Sequence, residues 1–333
     1  MIALSAVAAS AAPALARWVN GSPDATPTVS SHRSTRQMLG CIEVGTRGQF
    51  NIRYDLMDGR SLRFDDERRN DTPFVLTPFP PLPDRINFAE PDRSMRAPTL
   101  WAALHLAAER PDGGRPSVLI SLTQNVGPFA SDCADSLDRW VDAAVALPNY
   151  REAPAQGDLA WQRCLASAED YFGRDSVEYR LLQHGVAVHH GKMPNLLARR
   201  LKTLIDRGAV RVIIATSTLS EGVNIPVSYL LIPSVYRAEA LFALQEFTNL
   251  IGRAGRPGVS TEGHALVVLP DAAAVPVQRG RRFSRQRAGY ADLVRQLEAA
   301  ISQGIAGQLR DELRELDEWV GAEIATIPAE RRV

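Results

Sequence analysis

Between residues 117 and 270 the chain alternates short, almost wholly apolar runs with amphipathic stretches, and few folds accommodate that alternation. The apolar runs cover residues 117–122, 186–188, 210–215, 229–232 and 264–269. Each is bounded by turn residues, as expected of a strand buried on both faces. Helical spacing predicts helices over 99–108 and 131–147, the second stopped by Pro148, and a helical insertion within 149–182. Asn195 is placed to cap a helix over 196–207, which Gly208 can end. Another helix is predicted over 238–251, with Leu241, Phe242, Phe247 and Leu250 apolar. Strands alternating with helices predict an α/β fold, a parallel sheet with helices on both faces. In such sheets ligands bind beyond the carboxyl ends of the strands. Thr216 and the stretch 249–257 are therefore expected at that rim.

The flanks read differently. Residues 35–95 hold short alternating runs, such as Phe50-Asn-Ile-Arg-Tyr54, and the stiff segment Phe79-Pro-Pro-Leu-Pro83. They are expected to form an irregular connector between a short segment 1–34 and a globular domain over 96–275. Residues 276–333 read as a helical extension. It begins with a basic run, Arg279, Arg281, Arg282, Arg285 and Arg287, and continues as a stripe from Leu293 to Leu316 at helical spacing.

Lys+Arg and Asp+Glu both number 38, so any surface for nucleic acid must be local. Cys41, Cys133 and Cys164 are widely spaced, which fits reduced thiols in a cytoplasmic protein better than a disulfide or zinc framework. No run reaches the roughly 18 apolar residues of a membrane span. Residues 1–16 imitate a secretory leader and offer Ala14-Leu-Ala16 as a cleavage-like triplet, but no Lys or Arg precedes the apolar part.

Three segments carry chemistry. In Ile213-Ile-Ala-Thr216-Ser-Thr-Leu-Ser-Glu-Gly222-Val-Asn224-Ile-Pro226, a buried run ends in hydroxyl and amide groups suited to phosphate and sugar oxygens. In Gln245-Glu-Phe-Thr-Asn249-Leu-Ile-Gly252-Arg253-Ala-Gly255-Arg256-Pro257-Gly258, two guanidinium forks follow an apolar helix among glycines. Such forks grip phosphate oxygens with paired hydrogen bonds, and glycines let a backbone approach a ligand. In Val186-Ala-Val-His189-His190-Gly191-Lys192, adjacent histidines follow a strand. No carboxylate or Cys lies at ligand spacing in the sequence, so no metal site is assigned and a polar contact loop is expected.

Taken in chain order, the three segments resemble the second RecA-like domain of superfamily-two helicases, and within that group the superkiller-like branch. Members of that branch carry a paired-histidine segment, a Thr-rich strand end leading to Gly-Val-Asn-x-Pro, and Gly-Arg-Ala-Gly-Arg. The resemblance covers residues 115–270. It also touches the start, where Ala3-Leu-Ser-Ala-Val7 followed by Ala14-Leu-Ala-Arg-Trp18 is similar to the end of a first RecA-like domain, with Val7 where that family has Thr. The resemblance implies that Arg256 is an arginine finger toward the γ-phosphate and Arg253 a second phosphate contact. It implies ribose-side or interdomain contacts at Gly222 and Asn224. Asn249 and Gly252 fall on the nucleotide side, Asn249 standing where the family usually has the longer Gln. Thr216, with Ser121, Thr123 and His190, falls on the nucleic-acid backbone.

A motor of this kind holds ATP and magnesium mainly through its first domain, with a GK[ST] loop and an Asp-Glu pair. Neither is found here. Gly191-Lys192 is followed by Met193, and neither Asp65-Asp-Glu67 nor Asp311-Glu312 follows a buried strand. The expectation is therefore the carboxyl half of a helicase or translocase, inactive alone. It would complete its site with a first RecA-like domain, in cis or trans, and act on a DNA or RNA backbone. The alternative is a non-enzymatic nucleic-acid- or partner-binding RecA-like module, with the basic run as a sequence-blind grip.

Overall fold

The structure, a computed structural model, describes residues 35–57, 60–61, 74–76, 78–84, 86, 91–123, 126–152, 157–216, 227–255, 262–271 and 285–302. Segment 1–34 and most of the terminal leucine stripe lie outside these residues. The strands are β1 (Arg36–Val44), β2 (Phe50–Met57), β3 (Arg60–Ser61), β4 (Phe74–Leu76), β5 (Val118–Leu122), β6 (Val186–His189), β7 (Val212–Thr216), β8 (Tyr229–Ile232), β9 (Tyr236–Arg237), β10 (Ala240–Leu241) and β11 (Glu262–Pro270). The helices are α1 (Pro91–Ser94), α2 (Arg96–Leu106), α3 (Val126–Asp142), α4 (Leu159–Phe172), α5 (Val177–Gln183), α6 (Asn195–Asp206) and α7 (Leu244–Ile251). A further helical stretch covers 285–302.

One nine-stranded sheet organises these elements, in the order β3-β2-β1-β11-β8-β5-β7-β6, with β4 also paired to β2. From β1 to β6 every neighbouring pair is parallel. The period of two along each strand divides the core. Val118 and Ile120 of β5 face one cluster with Leu100, Leu104, Leu137 and Trp140 of α2 and α3. Leu119 faces the other, with Cys164, Leu197, Leu201, Phe247 and Leu293 from α4, α6, α7 and the 285–302 stretch. The fold is the α/β parallel sheet with helices on both faces that the alternation predicts, and the RecA-like fold that the resemblance implies.

Several local readings change. The stretch read as irregular contains β1 and β2, an antiparallel pair whose first strand lies along β11 in the main sheet. A tight turn makes the pair possible: the Gly45 N–H donates to the Gln49 carbonyl (2.9 Å), and Gly48 has φ +73°. The segment read as a stiff connector packs on the sheet. Phe79 and Leu82 are buried, and the Trp101 indole N–H donates to the Pro80 carbonyl at 2.8 Å. Helix α3 begins before residue 131 because Gly127-Pro128 fall in its first turn, where Pro loses no intrahelical bond. The cap of α6 is Pro194, so Asn195 is already helical, while Gly208 closes the helix at φ +70° as expected.

Residues 236–241 form the hairpin β9–β10 where the sequence reads as helical from 238. Ala238 and Glu239 take positive φ values of 44° and 70° in the turn. Tertiary contacts override the helix-favouring Ala-Glu-Ala-Leu composition. Arg237 ion-pairs with Glu246 at 2.5 Å, and the Arg285 guanidinium lies 4.4 Å over the Tyr236 ring.

The basic run is partly committed inward. Arg287 bonds Glu43 (2.9 Å) and the Pro270 carbonyl (2.9 Å), and Arg285 donates to the Glu239 carbonyl. Arg279, Arg281 and Arg282 lie outside the described residues. Among those residues no helix is long and apolar enough to cross a membrane. Cys41, Cys133 and Cys164 are buried free thiols, and burial pushes Cys41 and Cys164 up to about 12.

Three histidines make the fold acid-sensitive. His105 lies against the Phe79 and Trp101 rings, and burial lowers it to about 4. Burial likewise lowers His189 and His264. In each, burial favours the neutral ring in the folded chain. Below their ordinary value of 6.5 the unfolded chain binds more protons, so stability present above 6.5 declines as pH falls toward about 4. The urea midpoint should therefore drop between neutrality and about pH 5, and His105→Phe should flatten that drop.

Candidate nucleotide and nucleic-acid edges

The carboxyl rim collects part of the predicted site. The register pairs Leu122 with Thr216, and aligns Ser121, Ala215 and His189 in one row across β5, β7 and β6. Thr216 and Thr123 are partly exposed beyond that row. Ser121 is not: it is 2% exposed, and its hydroxyl has no hydrogen-bond partner. His190 follows β6 and bonds Glu178 of α5 at 3.0 Å. Burial alone would raise the Glu178 carboxyl, but the His190 hydrogen bond and a backbone N–H hold it below its usual value. The ring is thereby fixed against α5, through a carboxylate that sequence spacing did not reveal.

The arginine segment sits elsewhere. The chain leaves β8 at the carboxyl rim, forms β9–β10, and returns along α7, whose end must feed the next parallel strand at its amino end. The 252–255 segment accordingly lies at the amino edge, opposite to the rim where it was expected. Three contacts wedge it there. Val227 and Ala254 form a parallel bridge, and the Gly255 N–H donates to the Val227 carbonyl at 2.8 Å. The Gln37 amide of β1 donates to the Ala254 carbonyl at 3.2 Å. Gly255 has φ +76°, and a Cβ there would lie 2.5 Å from Thr35 Cγ2 and 2.8 Å from the Gly263 Cα. Only glycine fits this approach.

Along the outer side of α7, Gln245, Asn249 and Arg253 recur every fourth residue. They line a cavity of about 310 Å³ with Arg237, Phe242 and Glu246. The Gln245 amide donates to the Asn249 side-chain oxygen at 3.2 Å, which leaves the Asn249 NH₂ as a donor. The cavity thus gathers amide and guanidinium donors on a rigid element, which suits a polyanion. Gln245 and Arg237 were missed by sequence reasoning. The four-residue spacing from Asn249 could have found Gln245, whereas Arg237 depends on the hairpin. Gly252 is the helix cap, its N–H donating to the Thr248 carbonyl at 3.0 Å. Gly222, Asn224 and Arg256 lie outside the described residues.

Residues 163–258, which include β6, α6, β7, β8 and α7, match the model of the helicase conserved C-terminal domain. This stretch is a superfamily-two helicase carboxyl-terminal domain. The domain is similar to the ATP-dependent DNA helicase Hel308 of Aeropyrum pernix, 39% identical over 92 residues, covering 26% of this chain and 12% of that protein. It is 38% identical over 106 residues to the Hachiman protein HamB of Bacillus cereus, covering 32% of the chain and 9% of the relative. It is 32% identical over 92 residues to the antiviral helicase SKI2 of Saccharomyces cerevisiae, covering 26% and 7%. The chain's match thus spans about a tenth of the length of these curated relatives.

The helicase domain's amino-edge wedge is testable. Gly255→Ala should lower its stability by roughly 1–3 kcal/mol through the left-handed backbone alone. A urea midpoint indistinguishable from the parent would show that the segment is not held as described.

Proposed function

We propose that the chain is the second motor half of an ATP-dependent nucleic-acid helicase or translocase, with nucleotide at the α7 edge and nucleic-acid backbone at the carboxyl rim. The observation that carries this reading is the α7 row, where Asn249 and Arg253 share one cavity and Arg256 follows a backbone wedged at the amino edge. ATP with magnesium, when bound, supplies a γ-phosphoryl group activated for attack by water. In this reading Arg253 and Asn249 hold phosphate oxygens, and Arg256 neutralises charge developing on the γ-phosphoryl. Gly222 and Asn224 approach the ribose or the facing domain, while Gly252 lets the backbone come close.

The cavity fits this role in part. It offers donors to phosphate oxygens, and the Arg237–Glu246 pair braces its wall. A phosphate loop and an acidic pair for magnesium belong, in this reading, to a first RecA-like domain acting in cis or in trans. At the opposite rim, Thr216 and Thr123 donate hydroxyl hydrogen bonds to the sugar-phosphate chain of DNA or RNA. Such contacts position a strand without reading its sequence. His190, held by Glu178, orients the loop beside Thr216.

The 333-residue chain alone is expected to show no ATPase activity. Joined to a RecA-like domain carrying the phosphate loop, it should hydrolyse ATP, and Arg256→Ala should lower kcat by roughly a thousandfold or more. Hydrolysis by the chain alone, abolished by Arg256→Ala, would refute the shared-site reading. Oligonucleotide binding should fall steeply with salt, and Thr216→Val should weaken it for every sequence alike.

A further inference from the structure

We infer that the open end of the α4–α6 seam, at Tyr171 and Leu196, is a stacking platform for an unpaired nucleic-acid base. The inference rests on the reading of the carboxyl rim as a nucleic-acid edge, and adds a single-strand subsite to it. Facing rows define the seam. Arg207 of the α6 end pairs with Asp158 at the start of α4 (3.4 Å). One to two turns earlier, Arg200 donates to the Arg163 carbonyl (2.8 Å) and to the Ser167 hydroxyl. The helices therefore run antiparallel, and the same rows continue to Leu196 on α6 and Tyr171 on α4.

That end lies at the carboxyl rim, because α6 starts there directly after β6. The Phe172 ring, next in chain to Tyr171, is 6.0 Å from the His190 ring in an edge-on arrangement. By register His190 follows a residue paired with Ala215, so its backbone lies about one strand spacing, roughly 5 Å, from that of Thr216, and the seam opens on the far side of the His190 ring.

Tyr171 and Leu196 remain 48% and 46% exposed, whereas Trp161 of α4 and Leu197, Leu201, Leu204 and Ile205 of α6 are buried. Their chain neighbours at this end, Phe172 and Met193, pack into the cluster on this side of the sheet instead. Lys192 and Arg199 flank Leu196, both exposed and without an ion pair among the described residues. Of the nearby carboxylates, Glu169 is taken by Arg174 and Glu178 by His190, while Asp170 and Asp175 stay exposed. Net charge at the seam is thus small. An exposed aromatic beside a backbone-binding rim, with local charge nearly balanced, suits a base better than a polyanion. Every base offers a π-face to an aromatic side chain, so such a platform tolerates any sequence.

The test uses the full chain, a fluorescent single-stranded oligothymidylate, and the same strand made abasic. The parent should bind the abasic strand roughly tenfold more weakly. Tyr171→Ala should weaken binding of the intact strand to that level, bind the abasic strand as the parent does, and keep the parent's salt slope. Tyr171→Trp should restore binding. If Tyr171→Ala leaves both strands unaffected while Thr216→Val weakens both, the rim reading stands and the platform falls, leaving the seam as a surface for a protein. If the parent binds neither strand at low salt, both readings fall.

Discussion

A parallel strand can follow another parallel strand only if the chain first returns to the amino edge of the sheet. That requirement distributes the functional groups of this protein. Strands β5, β6 and β7 deliver Thr123, His190 and Thr216 to the carboxyl rim because their sequences end there. Helix α7 must run the other way, and so delivers Arg253 to the amino edge. The two sets of groups cannot meet in one crevice.

The close backbone approach at the amino edge explains the glycines better than flexibility does. A Cβ on Gly263 would lie 2.3 Å from Ala254 backbone atoms, and one on Gly255 would strike Gly263 in turn. These two glycines are mutually required. They let α7, β8 and β11 converge without intervening side chains, and the convergence fixes the direction in which Arg253 leaves the backbone. A guanidinium on so constrained a backbone has less conformational freedom to lose on gripping phosphate than one on a free loop.

The main strands were legible because burial on both faces makes them continuously apolar, as in residues 210–215, and Gly208 was legible because a left-handed helix stop favours that residue. The arginine segment was recognisable by its composition and misplaced in space, since a motif carries no information about which edge its helix reaches. The β9–β10 hairpin was hidden because Ala238 and Glu239 are poor turn residues, held in positive φ by Arg237 and Arg285 through contacts distant in sequence. Strands β1 and β2 were obscured by mixed polarity. Glu43, Arg53 and Asp55 interrupt their apolar faces, and each interruption proves to be a member of one network.

That network explains why the two flanks of the domain belong together. The Tyr290 hydroxyl donates to the buried Asp55 carboxylate at 2.6 Å, Arg53 lies 3.4 Å from Asp55 and 3.3 Å from Glu43, and Arg287 closes on Glu43. Asp55 is 1% exposed, and a carboxylate so placed is tolerable only with such partners. Burial and the neighbouring carboxylate push the Tyr290 hydroxyl well above its ordinary value, so it stays a donor throughout the physiological range. Charges on β1 and β2 thus require the 285–302 stretch, and that stretch buries Leu293 and Val294 on the same side of the sheet. The arginines that composition offered as a grip for nucleic acid are, at positions 285 and 287, used instead to hold the hairpin and the sheet's far strands against this helix.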